Sequence, residues 1–394
     1  MIFGLVAATV ALVGFLGPWG TGLIDLGVYR MGAQALLRGD DIYVVRQPGT
    51  GLLFTYPVFA ALVFVPVGLV PEAVARVVMT IGSLAGLFVL VHLSVLAFRQ
   101  ATGRSRTRVL RYSVPITVVC LALHPVWDTF NFGQVNLILA AMVLLDILVV
   151  ASPRWRGVLV GIAAGIKLVP GLFILYYVVT GQRRAAITSA LTTVATMVIG
   201  LLVAPGPSWD FWTKHAFSPE RTGAVYYAMN QSILGAVSRL LRNPEPPRAL
   251  TYLLAVLAVA VALFAANRLY RRGETLMSVT VVAVAALLAS PISWSHHWVW
   301  AIPALSTVAG WAATSPPPRQ WRWWVFAVAT AIVIVGPVLA PKGGENELHH
   351  TVAQQALANV YFFLGVVYLG WALVRALRAP DRAPLATSAP ASRS

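Results

Sequence analysis

The sequence predicts an all-α protein that crosses a membrane many times. Of its 394 residues, 58% are hydrophobic and 11% charged, with a mean hydropathy of +0.77. Soluble chains carry about a quarter charged residues. Apolar runs such as residues 72–98, 186–204, 249–267 and 352–374 are continuous and close to the roughly twenty residues a helix needs to cross hydrocarbon. Their lack of alternation excludes a barrel. The formal charge of +16 comes mostly from arginines that punctuate these runs, at 99–111, 154–156, 183–184, 268–272, 319–322 and 375–382. Such placement speaks for the positive-inside bias and against nucleic acid as a partner.

The elements follow in order. Residues 2–19 lack a basic leader and a small-residue cleavage site, so they read as a retained first span. A long outer loop, 20–71, contains two helical pieces near 25–38 and 56–70; the second is short and bracketed by Pro57 and Pro71, which suits the interface. A span at 72–98 returns to a basic loop. Spans at 110–124 and 134–150 enclose a short outer loop, "HPVWDTFNFGQVN". The stretch 157–182 has arginines at both ends, so it must enter and leave on one side. It is too short for two ordinary spans, and two half-length helices meeting near "GIKLVPG" satisfy the parity. Spans at 186–204, 249–270, 275–290, 298–314, 323–340 and 352–376 complete about twelve crossings, with both termini cytoplasmic. Residues 1–378 form one domain, and the Ala-, Pro- and Ser-rich tail 379–394 reads as disordered. The single Cys120 is a buried bystander.

Nearly all the polar chemistry falls in the outer loops. Asp25 stands one turn beyond the first span, where it serves either as the N-cap of a juxtamembrane helix or as a functional acid facing a cleft. Asp40 and Asp41 follow a glycine and read as turn residues. His296 and His297, in "SPISWSHHWVW", are candidate bases or hydrogen-bond partners. On an α-helix they diverge by about 100°, so at most one faces a given cleft. Lys167 lies at membrane depth in a chain with few lysines; it either snorkels at the helix break or acts on an anion. Lys342, with Glu345, Glu347, His349 and His350, forms a solvated loop or a phosphate- and sugar-binding rim. The histidines and acids match no metal pattern, and there is no phosphate loop or dinucleotide fingerprint. No cofactor is expected.

Several stretches together resemble glycosyltransferase family 87. They are "DLGVYRMGAQALLRGDDIY", "FTYPVFAALVFVPVGLVP", "FNFGQVNLILAAMVLLD", "GIAAGIKLVPGLFILYYVVTGQRRAA", "NQSILGAV" and "SPISWSHHWVWAIPAL", in order from about residue 20 to 310. These are the polyprenyl-phosphomannose-dependent α-1,2-mannosyltransferases of actinobacterial envelopes. The resemblance implies the GT-C architecture, a helical plasma-membrane enzyme whose active site opens to the outer face. It also implies a β-linked polyprenyl phosphate mannose donor, an α-linked product, and a mannosylated glycolipid acceptor such as a phosphatidylinositol mannoside or a lipoglycan. Asp25 matches the family's first-loop aspartate and takes the role of base, with His296 or His297 as partner. The leaving phosphate needs no divalent ion if Lys342, Lys167 or Arg30 neutralises it. Asn131 and Gln134, with Asn136, suit sugar hydroxyls or cap the following span; Glu345 and His349 belong to the candidate rim. Two rivals remain: the same scaffold acting on another polyprenyl-linked sugar, and a lipid-linked sugar transporter or flippase. A transporter should spread its charges along several spans, whereas these crowd one face.

Overall fold

The computed structural model describes residues 23–105, 108–314 and 319–378. The expected first span and the C-terminal tail lie outside them. Among the described residues the chain is helical, with two isolated β-bridges in place of a sheet. The first loop contributes α1 (Ile24–Arg38), α2 (Val58–Val63) and α3 (Val65–Leu69). Then come α4 (Glu72–Ala101), α5 (Val109–Cys120), α6 (His124–Phe132), α7 (Asn136–Leu148), α8 (Val158–Ile166), α9 (Leu172–Val179), α10 (Arg183–Val203), α11 (Pro205–Thr213) and α12 (Ile233–Leu241). The last third contains α13 (Arg248–Arg271), α14 (Thr275–Ala289), a 3₁₀ segment Ser295–Trp300, α15 (Ala301–Ala313), α16 (Gln320–Val335), α17 (Val352–Ala358) and α18 (Val360–Arg378).

Five of these helices are long and apolar enough to cross a membrane, and a sixth span results if α5 and α6, bent by 73° at their junction, count as one. There are three shorter apolar helices, Asn136–Leu148, Val169–Val179 and Thr275–Ala289; the first and last are mostly buried, while the second exposes Leu175 and Val178. The protein is therefore a polytopic membrane protein. Its layering follows from which helix faces find partners. In α14 every residue from Leu276 to Leu288 is buried, as a helix apolar on all sides must be when other helices surround it. α10 and α13, long and apolar as well, expose Leu191, Leu202, Val256 and Leu257, the face a bilayer would cover. At one end of the bundle, Arg375 Nε meets Glu274 Oε2 at 2.5 Å, and Arg272 donates to the carbonyls of Arg375 and Ala376.

Two sequence expectations change here. The stretch 124–134, read as a loop, is helix α6: Pro125 fits a first turn, where its missing N–H costs nothing, and Gly133 closes the end at φ +68°. Asp25 is not an N-cap; Leu23 holds that position without a side-chain bond, and Asp25 sits inside the first turn of α1.

The stretch 157–182 forms the expected broken hairpin. α8 ends at Lys167, whose backbone is extended (φ −145°, ψ 129°), and α9 runs back after one 3₁₀ turn. Arg156 Nη1 at its start donates to Gln182 Oε1 at its finish at 3.1 Å. α8 lies on α10 through glycines: a Cβ on Gly161 would stand 2.5 Å from Thr192 Cβ, and one on Gly165 would stand 2.2 Å from Thr196 Oγ1. Gly161→Val should push α8 off α10 and lower the thermal unfolding midpoint in detergent, at an overpacking cost of about 1–3 kcal/mol. An unchanged midpoint would show that the contact yields freely.

Candidate active site

These elements border a cavity of about 1040 Å³. Asp25 enters it from α1, Gln134 from the α6–α7 turn, Lys167 from the hairpin tip, His296 and His297 from the 3₁₀ segment, and Lys342 from the rim. These six residues, all singled out from the sequence, thus meet in one space, together with Glu347 of the rim loop.

Lys167 organises one wall. Its Nζ donates to Asn136 Oδ1 at 2.9 Å, lies 3.0 Å from His297 Nε2, and stands 5.6 Å above the ring centre of Tyr56. An ammonium group only donates, so Nε2 meets it as an acceptor. Asn136 in turn gives Nδ2 to the His296 carbonyl at 3.0 Å, and Thr129 Oγ1 reaches the same oxygen at 3.2 Å. These bonds fix the double histidine to α6 and α7. Tyr29, stacked on Phe64 at 4.2 Å, donates to Gln134 Oε1 at 2.7 Å and lies 3.3 Å from the Tyr56 hydroxyl.

Asp25 is half-exposed to the cavity but ringed by protein. Removal from water drives its pKa up from 3.8 to about 6, against the pull of the Gln134 amide and the Lys167 ammonium. The carboxylate is thereby a stronger base than an ordinary aspartate. Both histidines line the cavity, contrary to the expectation that only one would. The segment is 3₁₀, its rings pack edge to face at 4.8 Å, and the space wraps around them. His296 is 5% exposed, packs against Phe132, and has no hydrogen-bond partner on either ring nitrogen among the described residues. A buried imidazole without partners is poised for a ligand.

Four further candidates, Arg30, Asn131, Glu345 and His349, lie off the wall. Arg30 gives Nη1 to the carbonyls of Val67 and Val70, the latter at 2.8 Å, and so clamps the end of α3 against α1. Asn131 is half-buried on α6. Glu345 and His349 are exposed, while their neighbour Glu347 is buried, lines the cavity and accepts from the backbone N–H of Ala228 and, at 3.3 Å, of Gly343. That bond ties the rim loop to residues 224–230. The same stretch is held from behind by fully buried Arg239, which donates to the carbonyls of Tyr226, Tyr227 and Asn230 and to Asn359 Oδ1.

Sequence reasoning missed His124, Asp128, His215, Arg221 and the aromatic residues Tyr56, Tyr227 and Trp294, all on the wall. For the first two a signal existed: His124 and Asp128 are four apart, one face of a helix once the segment is read as helical. Arg221 donates to the Tyr43 carbonyl at 2.6 Å across 178 residues, and nothing local announces it. Among the described residues no group of three or more His, Cys, Asp or Glu side chains is placed to hold a metal ion.

A helical membrane protein with a large cavity, a carboxylate of raised basicity and adjoining imidazoles and ammonium groups has the equipment of an integral-membrane transferase. Residues 54–291 match the model of glycosyltransferase family 87. The chain is 33% identical over 303 residues to a polyprenol-phosphate-mannose-dependent alpha-(1-2)-phosphatidylinositol mannoside mannosyltransferase of Mycobacterium tuberculosis, covering 73% of this chain and 71% of that one. It is 31% identical over 386 residues to the protein of the same description in Mycolicibacterium smegmatis, covering 83% and 87%. A polyprenol-phosphate-mannose-dependent alpha-(1-2)-phosphatidylinositol pentamannoside mannosyltransferase of Mycolicibacterium smegmatis is 34% identical over 74% of this chain and 70% of its own. No solved structure matches. The chain belongs to glycosyltransferase family 87.

Proposed function

We propose that the protein transfers mannose from polyprenyl phosphate mannose to a mannose hydroxyl of a phosphatidylinositol mannoside or related lipoglycan, in one inverting displacement. The observation that carries this reading is the meeting of Asp25, Lys167 and the histidine pair in one cavity of a chain whose relatives are described by that activity. Asp25 accepts the proton of the acceptor hydroxyl as its oxygen attacks the anomeric carbon. The bond from that carbon to the phosphate oxygen breaks, and the polyprenyl phosphate leaves with its electron pair toward Lys167 and, at the rim, Lys342. His296 offers unpaired ring nitrogens to the sugar or phosphate. Apolar residues such as Leu52, Leu53 and Val338 on the cavity wall suit a lipid-borne donor and a lipid-anchored acceptor.

Orientation follows from charge. The arginine clusters favour the cytoplasm, which turns the cavity toward the outer face of the plasma membrane and makes both termini cytoplasmic if the short apolar helices bring the crossings to about twelve. The lysines supply the positive charge that a divalent ion would otherwise bring.

The test is purified protein in nanodiscs with radiolabelled polyprenyl phosphate mannose and a panel of phosphatidylinositol mannosides. Labelled product with an α-1,2 linkage is expected, and its formation should be unchanged in EDTA. No product on any acceptor overturns the function; loss of product in EDTA, restored by a divalent ion, overturns the metal-free mechanism.

A further inference from the structure

We propose that Asp128, with His124 and Ser295 behind it, forms the subsite that holds the sugar hydroxyls of the acceptor glycan. The inference rests on the mannosyltransferase reading and names the part of the cavity that reads the acceptor. Asp128 lies on α6. Its Oδ2 accepts from Ser295 Oγ at 2.6 Å and stands 3.4 Å from His124 Nε2. All three residues are nine-tenths or more buried, and all three line the cavity. Both contacts fall on one carboxylate oxygen, Oδ2, and leave Oδ1 to the cavity that Asp128 lines. A carboxylate oxygen open to a cavity takes a donor from a ligand or from water.

The sign of the charge selects the ligand. A carboxylate repels a phosphate, so this wall disfavours the donor's leaving group and leaves it to Lys167. A neutral ligand rich in hydroxyls satisfies Oδ1 instead, since each hydroxyl donates. Beside Asp128 stand Trp294 and Tyr227, whose rings meet edge-on at 5.9 Å. They offer apolar faces to the C–H side of a pyranose. His124 and Ser295 are positioning residues: they occupy Oδ2 and thereby present Oδ1.

The test measures Asp128→Asn, Asp128→Ala and Ser295→Ala in two ways. In the transfer assay, KM for the phosphatidylinositol mannoside acceptor should rise about tenfold for the Asp128 variants, the value of a lost charge-assisted hydrogen bond. Donor KM and kcat at saturating acceptor should stay within about threefold of wild type. In direct titration, affinity for methyl mannobioside should fall by a similar factor, with a smaller loss for Ser295→Ala. Acceptor KM and mannobioside affinity equal to wild type overturn the proposal. So does an equal loss of donor affinity in a variant that melts like wild type, and so does wild-type protein that does not bind the mannobioside. Where an Asp128 variant fails to fold, Ser295→Ala decides by the same acceptor-only shift. Wild-type protein that transfers no mannose ends the functional reading, and the mannobioside titration then decides this one by itself.

Discussion

Replacing Asp25 with asparagine is expected to slow mannose transfer by about 10²–10⁴-fold, the range a positioned general base contributes. The substitution keeps the shape of the side chain and its hydrogen bonding to Gln134 but removes the proton acceptor, so donor and acceptor binding should change little while kcat collapses. Transfer at the wild-type rate would remove Asp25 from the chemistry. The same residue sets the pH response. With its carboxyl pushed up to about 6 by burial, kcat/KM should rise as pH climbs through about 6 and level above it, because only the ionised form accepts a proton. A profile without an inflection near that value would mean that another group limits the reaction.

The stability of the same variant should move the opposite way. A carboxyl whose pKa is higher in the folded protein than its ordinary 3.8 prefers to be neutral there. Its contribution to stability is fully present below about pH 4 and is lost as pH rises through about 6. At neutral pH the ionised, partly desolvated Asp25 is therefore a liability the fold tolerates for its chemistry. Asp25→Asn should melt at or above the wild-type temperature at pH 7. An inactive variant that also unfolds early would point to a structural role instead.

Much of this arrangement is readable in the sequence because a membrane imposes coarse rules. Continuous apolar runs mark helices, and arginine clusters mark their ends. The parity they enforce required the stretch 157–182 to turn back on itself, as the Arg156–Gln182 contact does. Lys167 at its tip stood out because charge at that depth is costly. What escaped depends on packing between distant segments. Asp128 was hidden in a segment taken for a loop, since its Pro and Gly punctuation reads equally as the start and end of a helix. Glu347 and Glu345 are indistinguishable in sequence; only the position of the Ala228 amide decides which is buried. Arg30 looks like a phosphate ligand by charge, but the open carbonyls at the end of α3 claim it first. Such residues are assigned by partners that lie tens of residues away.

Lys167→Met should be the second large loss, with kcat/KM for the donor down by about 10²–10³-fold, the scale of removing one preorganised group that stabilises developing charge. Methionine keeps the apolar stem, so the break between α8 and α9 should survive and thermal unfolding should change little. Lys167→Arg should not restore activity. The native ammonium meets Asn136 Oδ1 and His297 Nε2 from a single compact head at 2.9 and 3.0 Å, and a planar guanidinium fork is too wide to make both contacts over the Tyr56 ring. A structural and a chemical role separate by leaving group. If Lys167 neutralises the departing phosphate, a mannosyl donor with a less basic leaving group needs that charge less, and the variant's deficit on it should shrink. An equal deficit on both donors would mean that Lys167 only holds His297 and Asn136 in place, and a variant active within threefold of wild type on either donor would remove it from the site altogether.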